Sequence, residues 1–164
     1  MMVRQTKIAL ALVLAAFAFI VTFDNIADPA SNYAFVQHVL SMDTTFPANA
    51  LMYRATTNHT AWSAAYALIV AGEGVTCVLL VIGSVAMCRA LRSDGAAFNA
   101  AKRFVIAGCG VGFIDWFFGF MVVGGEWFAM WQSKTWNGQE AAFRFYCAVL
   151  GVLVFVNQRD EDLP

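Results

Sequence analysis

Long apolar runs alternate with shorter polar stretches along the chain. The four longest runs cover about 8–23, 61–88, 104–123 and 141–156. A bilayer core roughly 30 Å thick needs about 20 helical residues, so the second and third runs can cross it, and the first and fourth need a few flanking residues. The pattern predicts an all-α protein, a four-transmembrane-helix bundle that forms a single integral membrane domain over residues 1–164.

The connection between the first two runs, residues 24–60, is too long for a structureless link in a compact protein. Ser31 or Asn32 can cap a short amphipathic helix there. The apolar side of that helix consists of Phe35, Val36, Val39, Leu40 and Met42. We expect this helix to lie along the membrane surface with its apolar side down.

The rest of this connection contains signals for further turns and caps. Residues 43–45 are short and polar, and they interrupt the helix because their side chains compete for backbone hydrogen bonds. Pro47 suits the first turn of a second short helix that ends near Arg54. Thr57 or Asn58 can cap the entry to the second transmembrane helix.

The connection over residues 124–140 contains three tryptophans within ten residues. Indole rings prefer the headgroup zone of a bilayer, which favours an interfacial belt, and a ligand or partner surface is the alternative. Residues 24–60 and 124–140 are together called the cap below. The cap residues expected to form a partner surface are Phe35, His38, Met42, Asp43, Thr44, Thr45, Arg54, Trp127, Trp131 and Trp136.

Composition places the chain in the membrane class. It has 60% hydrophobic and 13% charged residues and a mean hydropathy of +0.65, against about 45–50% apolar and 25% charged residues in soluble domains. The formal net charge is -1. There is therefore no general basic surface, and we predict no binding to nucleic acid.

The basic residues indicate an orientation. Those before the first span, between the second and third, and after the fourth are Arg4, Lys7, Arg89, Arg92, Lys102, Arg103 and Arg159, and those on the opposite side are Arg54, Lys134 and Arg144. The positive-inside rule then places both termini and the 89–103 link in the cytoplasm and the cap outside. The N-terminal run resembles a signal peptide, but we interpret it as a retained first helix because its small-residue triplets lie inside the run.

Two segments on the predicted cytoplasmic side carry no sign of chemistry. The 89–103 link contains a turn at residues 93–95 and is typical of a solvated connector. The tail after residue 156 is short and acidic, and we expect it to be frayed.

Three charged residues fall within predicted spans at broadly similar depth, namely Glu73, Asp115 and Arg144. Polar groups at membrane depth are costly and mark candidate sites, so we expect an intramembrane cluster of these three. Such a cluster is either structural, holding helices in register, or a proton relay or ion site. A polar surface facing a partner subunit or a water-filled vestibule is a further alternative.

No motif indicates catalysis or a cofactor. His38, Asp43 and His59 are the only candidates for an outward metal site, but their spacing matches no known ligand pattern, so we predict no metal. Both histidines lie outside the spans, which disfavours a haem between facing helices. The cysteines are interpreted as apolar packing groups rather than disulfide, metal or reactive thiols, and they are Cys77, Cys88, Cys109 and Cys147.

The run NIADPASNYAFVQHVLSMDTTFP, the Tyr53-Arg54 pair and the segment AYALIVAGEG resemble the bacterial family of predicted small integral membrane proteins with a domain of unknown function. The resemblance covers nearly the whole chain and is most specific in FVQHVLSMDTTFP. It implies a four-span protein of the bacterial inner membrane and brings no established activity. Where that family often has Leu-Thr-Asp-Tyr-Gly, this chain has Ile-Ala-Asp-Pro-Ala at residues 26–30, which puts Pro29 where the chain leaves the first helix.

These observations favour a non-catalytic accessory or assembly subunit that docks through the cap on another membrane protein or on a second copy of itself. The first alternative is a small proton-coupled transporter or channel that uses Glu73 and Asp115. A weaker alternative is a lipid- or quinone-binding redox helper with a pocket between helices.

Overall fold

The computed structural model describes residues 1–163, which are mainly helical, with no strand among them. The α-helices are α1 (Met2–Ala27), α2 (Pro29–Ser41), α3 (His59–Arg89), α4 (Gly95–Ala101), α5 (Arg103–Phe113) and α6 (Gln139–Asn157). A π-helical segment, Ile114–Trp127, continues α5, and short 3-10 helices cover Met52–Arg54 and Met130–Gln132.

Four helical stretches are long and apolar enough to cross a membrane, which confirms the predicted fold class. They are Met2–Ala27, His59–Arg89, Gly95–Trp127 and Gln139–Asn157. Each extends beyond its apolar run because polar residues near the ends keep helical hydrogen bonds where the chain leaves the hydrocarbon. α1 packs on α3, α3 on α5, and α5 on α6.

The core lies where these helices face each other, and much of the remaining apolar surface faces outward. Leu80, Val105 and Val149 are buried in the core, whereas Leu68 and Val154 are exposed. Outward apolar side chains are expected in a bundle that is surrounded by lipid rather than water.

The end of the bundle that holds residues 1 and 160, called the terminal end, is more ordered than predicted. Asp94 caps α4, since its Oδ1 accepts a hydrogen bond of 2.7 Å from the Ala97 amide. Phe98 on this helix is fully buried. The prediction of a solvated connector is therefore wrong, because an apolar side chain on α4 packs into the bundle.

The expected fraying of the tail is also wrong. Asp160 Oδ2 accepts a hydrogen bond of 2.6 Å from Lys7 Nζ and also forms an ion pair with Lys102. Both lysines donate to the carbonyl of Gln158, each at 2.7 Å. The guanidinium of Arg4 donates to the carbonyl of Glu161 at 2.6 Å. These contacts fold residues 158–161 back onto the bundle because they supply the acceptors that three buried cations need.

At the opposite end, α2 covers the bundle. It begins at Pro29, in the first-turn position that proline favours, and not at the predicted Ser31 or Asn32. It ends as predicted before residues 43–45, with Met42 in the left-handed conformation at φ 53°. Its apolar side packs on the protein instead of the membrane surface, since Val36 and Val39 are buried and α2 contacts α3.

The segment after α2 departs from the prediction in one place. Pro47 starts no helix. The chain runs through turns with Ala48 in the left-handed region, at φ 60°, until the 3-10 helix Met52–Arg54. Asn58 caps α3 as predicted, with its Oδ1 accepting from the Thr60 amide at 2.8 Å.

The two parts of the cap contact each other. Thr44 Oγ1 donates to Ser133 Oγ at 2.8 Å. Gln132 Oε1 accepts hydrogen bonds of 3.0 Å from the Phe46 amide and from Asn49 Nδ2. Residues from distant parts of the chain thus share one surface at this end of the bundle.

Candidate functional site

Glu73 is the more deeply buried of the two carboxyl groups at membrane depth. It lies within α3, and 3% of its surface is exposed. Asn25 Nδ2 on α1 donates to its Oε2 at 2.7 Å. Asn32 Nδ2 on α2 in turn donates to Asn25 Oδ1 at 2.6 Å. Three side chains therefore form a hydrogen-bonded series from α2 down to Glu73.

Asp115 lies beside this series, in the first turn of the π-helical segment. Its Oδ2 is buried and has no hydrogen-bond partner within residues 1–163. It sits against Gly72, where an added Cβ would lie 2.9 Å from Asp115 Cγ. The absence of a side chain at Gly72 therefore makes room for this carboxyl group next to Glu73.

Arg144 does not join the two acids, so the predicted three-residue cluster is wrong. Its side chain is 70% exposed and pairs with Glu140, one turn earlier on α6, at 2.5 Å. The buried side of α6 instead carries Ala142, Tyr146 and Val149. Within residues 1–163 neither Glu73 nor Asp115 forms a salt bridge. The site therefore consists of two acids without a basic partner.

Two cavities lie beneath α2, one at each acid. The first has a volume of about 260 Å³ and is apolar except for Asp115, with walls from α2, α3 and the π-helical segment. The second, of about 250 Å³, contains Glu73, Asn25 and Asn32. Four side chains line both cavities, namely Phe35, Val36, Ile69 and Phe120. These shared side chains form a thin apolar partition between the two cavities.

The π-helical winding shapes the wall of the first cavity. The Phe128 amide donates to the carbonyl of Val123, five residues earlier, at 3.0 Å. Wider winding of this kind is rare and frequently occurs at functional sites. Gly119 lies on the cavity side of this segment, and a Cβ there would meet nothing within 4 Å.

Polar groups become sparse from the two acids toward the terminal end. The hydroxyls of Thr76 and Ser84 on α3 are buried without a partner among the described residues. Leu80 lies between them, and Cys109 and Val149 are also packed at this level with at most 2% of their surfaces exposed. The site is thus closed toward the terminal end by packed apolar side chains.

Only two of the three metal candidates, His38 and Asp43, come together. His38 Nδ1 lies 2.7 Å from Asp43 Oδ2, and its ring stacks on Trp136 with 4.5 Å between centroids. His59 instead packs against Trp62. Among residues 1–163, no group of three or more His, Cys, Asp or Glu side chains is arranged to hold a metal ion.

The predicted partner surface is divided between interior and exterior. Met42 is 1% exposed and Phe35 lines both cavities, so neither side chain is available to a partner. Trp127 and Trp131 are exposed. The remaining members are exposed or partly buried at the surface, and they are His38, Asp43, Thr44, Thr45, Arg54 and Trp136.

Sequence reasoning missed Asn25, Asn32 and Gly72 as site residues. Asn25 was placed in a loop because the apolar run ends at residue 23, whereas α1 continues to Ala27. Gly72 lies within an apolar run, where a glycine is commonly a packing residue, so the sequence gives no separate signal for it. An amide one helical turn from the end of a span would have been the available signal for Asn25.

The fold and site define a small, four-span integral membrane protein with two acids buried under a helical cover. The family model described as predicted small integral membrane protein (DUF2165) matches residues 3–159, and the chain belongs to this family. Searches of curated proteins and of solved structures find no match.

Proposed function

We propose that the protein binds an amphiphilic molecule of the bilayer in the cavity beneath α2, with the polar end of that molecule at Asp115. The observation that carries this proposal is the buried, unpartnered Oδ2 of Asp115 in an otherwise apolar cavity. An unsatisfied buried polar atom is costly, and a hydroxyl or ammonium group from a ligand would satisfy it.

The cavity is accessible from the side. Leu68, Ile114 and Phe118 line it and are also exposed on the surface of a membrane-spanning helix. A molecule with a long apolar tail would therefore enter from the hydrocarbon without crossing water. Such cavities, apolar with few polar groups, are the usual form of small-molecule sites.

Proton-coupled transport through Glu73 and Asp115 is less well supported. A pathway across the membrane needs exchangeable groups or water along its whole length. Below the two acids, the chain packs Leu80 and Cys109 instead, and both are essentially buried. The arrangement favours a site that loads and releases from the cap half.

The accessory-subunit role is a second candidate, favoured by exposed aromatic groups on the cap. Phe46 and Trp131 form an edge-to-face pair, and Tyr53 is 75% exposed. Aromatic residues are enriched at interfaces. Affinity purification in mild detergent tests this role. We expect a stoichiometric membrane partner that is lost when Tyr53 and Trp131 are changed to Ser. Recovery of the protein alone would contradict the role.

The proposed setting is the bacterial inner membrane, with the terminal end in the cytoplasm. It is supported by the seven Lys and Arg residues on the side of the termini against three on the opposite side. Cysteine labelling in intact cells tests it, since a cysteine introduced at exposed Lys134 should react with an impermeant reagent and one at Arg92 should not.

The cavity is tested by filling it. Gly119→Leu places a side chain into the first cavity, while Gly151→Leu on α6, where an added Cβ also meets nothing within 4 Å, serves as the matched control. The probe is a long-chain alcohol that carries a diazirine, photolysed in proteoliposomes. In the parent protein, crosslinks are expected on peptides that contain residues 35–40, 65–69 and 114–124.

The expected result is a several-fold loss of these crosslinks in Gly119→Leu and none in Gly151→Leu. Labelling of lipid-facing Val154 measures general contact with the bilayer and should stay constant in all three proteins. Equal crosslinking of the cavity peptides in the parent and in Gly119→Leu would show that the cavity does not hold the probe.

A further inference from the structure

A second apolar surface adjoins the first cavity, with which it shares Phe118 and Val123, and combines a hydrocarbon-facing floor with two opposite charges. It is a shallow groove of about 460 Å³ on the outer side of the π-helical segment. Its lining consists of Arg54, Phe118, Val122, Val123, Glu126 and Trp127. The apolar members occupy the turns that precede Glu126 and Trp127, so the charges lie at the end of the groove nearer the cap.

Arg54 is held in place but retains a free edge. Its Nη1 donates to the carbonyl of Trp127 at 3.2 Å and its Nε to the hydroxyl of Tyr53 at 3.2 Å. The guanidinium carbon lies 4.6 Å from the centre of the Trp127 ring. Nη2 donates no hydrogen bond within residues 1–163. A fixed guanidinium with a free edge is suited to a phosphate oxygen.

Glu126 carries the complementary charge and is also available. Its side chain is exposed, and among the described residues its carboxylate forms neither a hydrogen bond nor a salt bridge. It contacts Arg54 only through its backbone carbonyl, at 3.4 Å. A cation and an anion therefore line one groove without forming an ion pair with each other.

The geometry points to a phospholipid whose headgroup contains both a phosphate and a primary ammonium as the occupant of this groove. The free edge of Arg54 binds the phosphate, Glu126 binds the ammonium, and an acyl chain lies along Phe118 and Val122. Trp127, exposed beside both charges, marks the headgroup level. An anionic lipid without an ammonium would leave Glu126 close to a phosphate with no compensation, which favours the zwitterionic lipid.

The selectivity is tested on the full chain, purified in mild detergent and mixed with equal amounts of phosphatidylethanolamine and phosphatidylglycerol of the same acyl composition. Bound lipids are counted by native mass spectrometry. The parent protein is expected to retain the ethanolamine lipid about five- to tenfold over the glycerol lipid, which corresponds to about 1–1.4 kcal/mol. Equal retention of the two lipids would overturn the proposal.

Charge-neutral variants separate the two contacts. Glu126→Gln should bind both lipids similarly and so lose the preference. Arg54→Gln should lose binding of both lipids. Lys134→Gln and Glu140→Gln serve as matched controls at exposed positions of the cap and α6. Glu126→Gln breaks no contact of the folded chain, so its result does not depend on stability. An unchanged preference in this variant would contradict the proposal.

A soluble headgroup distinguishes a lipid site from a simple phosphate site. Phosphoethanolamine at the concentration of the lipid should not displace phosphatidylethanolamine, because the floor of the groove contributes only through an acyl chain. Displacement would show that the apolar floor plays no part. The cavity variant Gly119→Leu is expected to leave this preference unchanged, so failure of either site is recognised independently of the other.

Discussion

Gly72 illustrates how a single missing side chain positions a functional group. The carboxyl of Asp115 occupies the space that a Cβ at Gly72 would take, 2.9 Å from its Cγ. Gly74, two residues later on α3, has an ordinary distance of 3.6 Å from an added Cβ to Thr22 Cγ2. Both glycines flank Glu73, but only Gly72 makes room for the Asp115 carboxyl group.

We predict that Gly72→Ala displaces Asp115 at little cost in stability, because a carboxyl group can rotate where a backbone cannot. Replacing glycine by alanine in a helix otherwise stabilises it by about 0.5–1 kcal/mol. Photolabelling of the cavity with the diazirine alcohol should fall several-fold in Gly72→Ala and stay unchanged in Gly74→Ala. Equal labelling of both variants would remove Asp115 from the binding proposal.

Among the helices, α3 and α5 approach each other closely at Gly83. A Cβ there would lie 2.5 Å from the backbone nitrogen of Val105 and 3.1 Å from the carbonyl carbon of Phe104. Close approach through small residues is how helices associate in lipid, where no hydrophobic force acts between them. Unlike the Asp115 carboxyl, these backbone atoms cannot move without shifting the whole helix.

Gly83→Ala should therefore lower the stability of the bundle by about 1–3 kcal/mol or more, the cost of overpacking a tight contact. Gly110→Ala on α5 is the control, since an added Cβ there meets nothing within 4 Å. The midpoint of thermal unfolding in detergent, followed by circular dichroism, measures both. Equal midpoints would mean that the two helices separate more easily than this packing indicates.

At the scale of the whole molecule, the terminal end is held together by a charge cluster that joins distant parts of the chain. Lys7, Lys102 and Asp160 are all buried, and Lys7 and Asp160 are 153 positions apart in sequence. Breaking a buried ion pair by removing one partner usually costs about 3–5 kcal/mol, because the remaining charge is left uncompensated.

Asp160→Asn is thus expected to destabilise the protein by about that amount and to release the tail to proteolysis. Glu140→Gln is the control, because its pair with Arg144 is exposed and such pairs contribute about 0–1 kcal/mol. Chemical unfolding in mixed micelles and limited proteolysis of the tail measure the two effects. A tail that stays protected in Asp160→Asn would show that the carbonyl contacts alone hold it.

The same cluster predicts a dependence on pH. Burial alone would raise the pKa of Asp160, but the hydrogen bonds and charges of Lys102 and Lys7 outweigh it and hold the pKa below its ordinary value. Because the pKa is lower in the folded than in the unfolded chain, the stabilisation is present above the unfolded value of about 3.9 and is lost as the pH falls through the folded value. Unfolding midpoints from neutral pH down to about pH 2 should show this loss in the parent and not in Asp160→Asn.

The number of spans, their approximate limits and some helix-capping residues follow from the amino-acid sequence alone. A helix must be long and apolar enough to cross the hydrocarbon, and this requirement depends only on a continuous stretch of residues. The capping of α3 by Asn58 and the end of α2 before residues 43–45 were likewise predictable, since a capping side chain acts within a few positions of the backbone it binds.

Which faces of these helices meet depends on how the helices pack in three dimensions. A uniformly apolar helix carries little information about its rotation, so the outward position of Arg144 on α6 could not be predicted. The docking of the tail on Lys7 and Lys102, and the series from Asn32 through Asn25 to Glu73, join residues that are far apart in the chain. Their partners become visible only when the helices are packed, which is why the buried acids were foreseen and their surroundings were not.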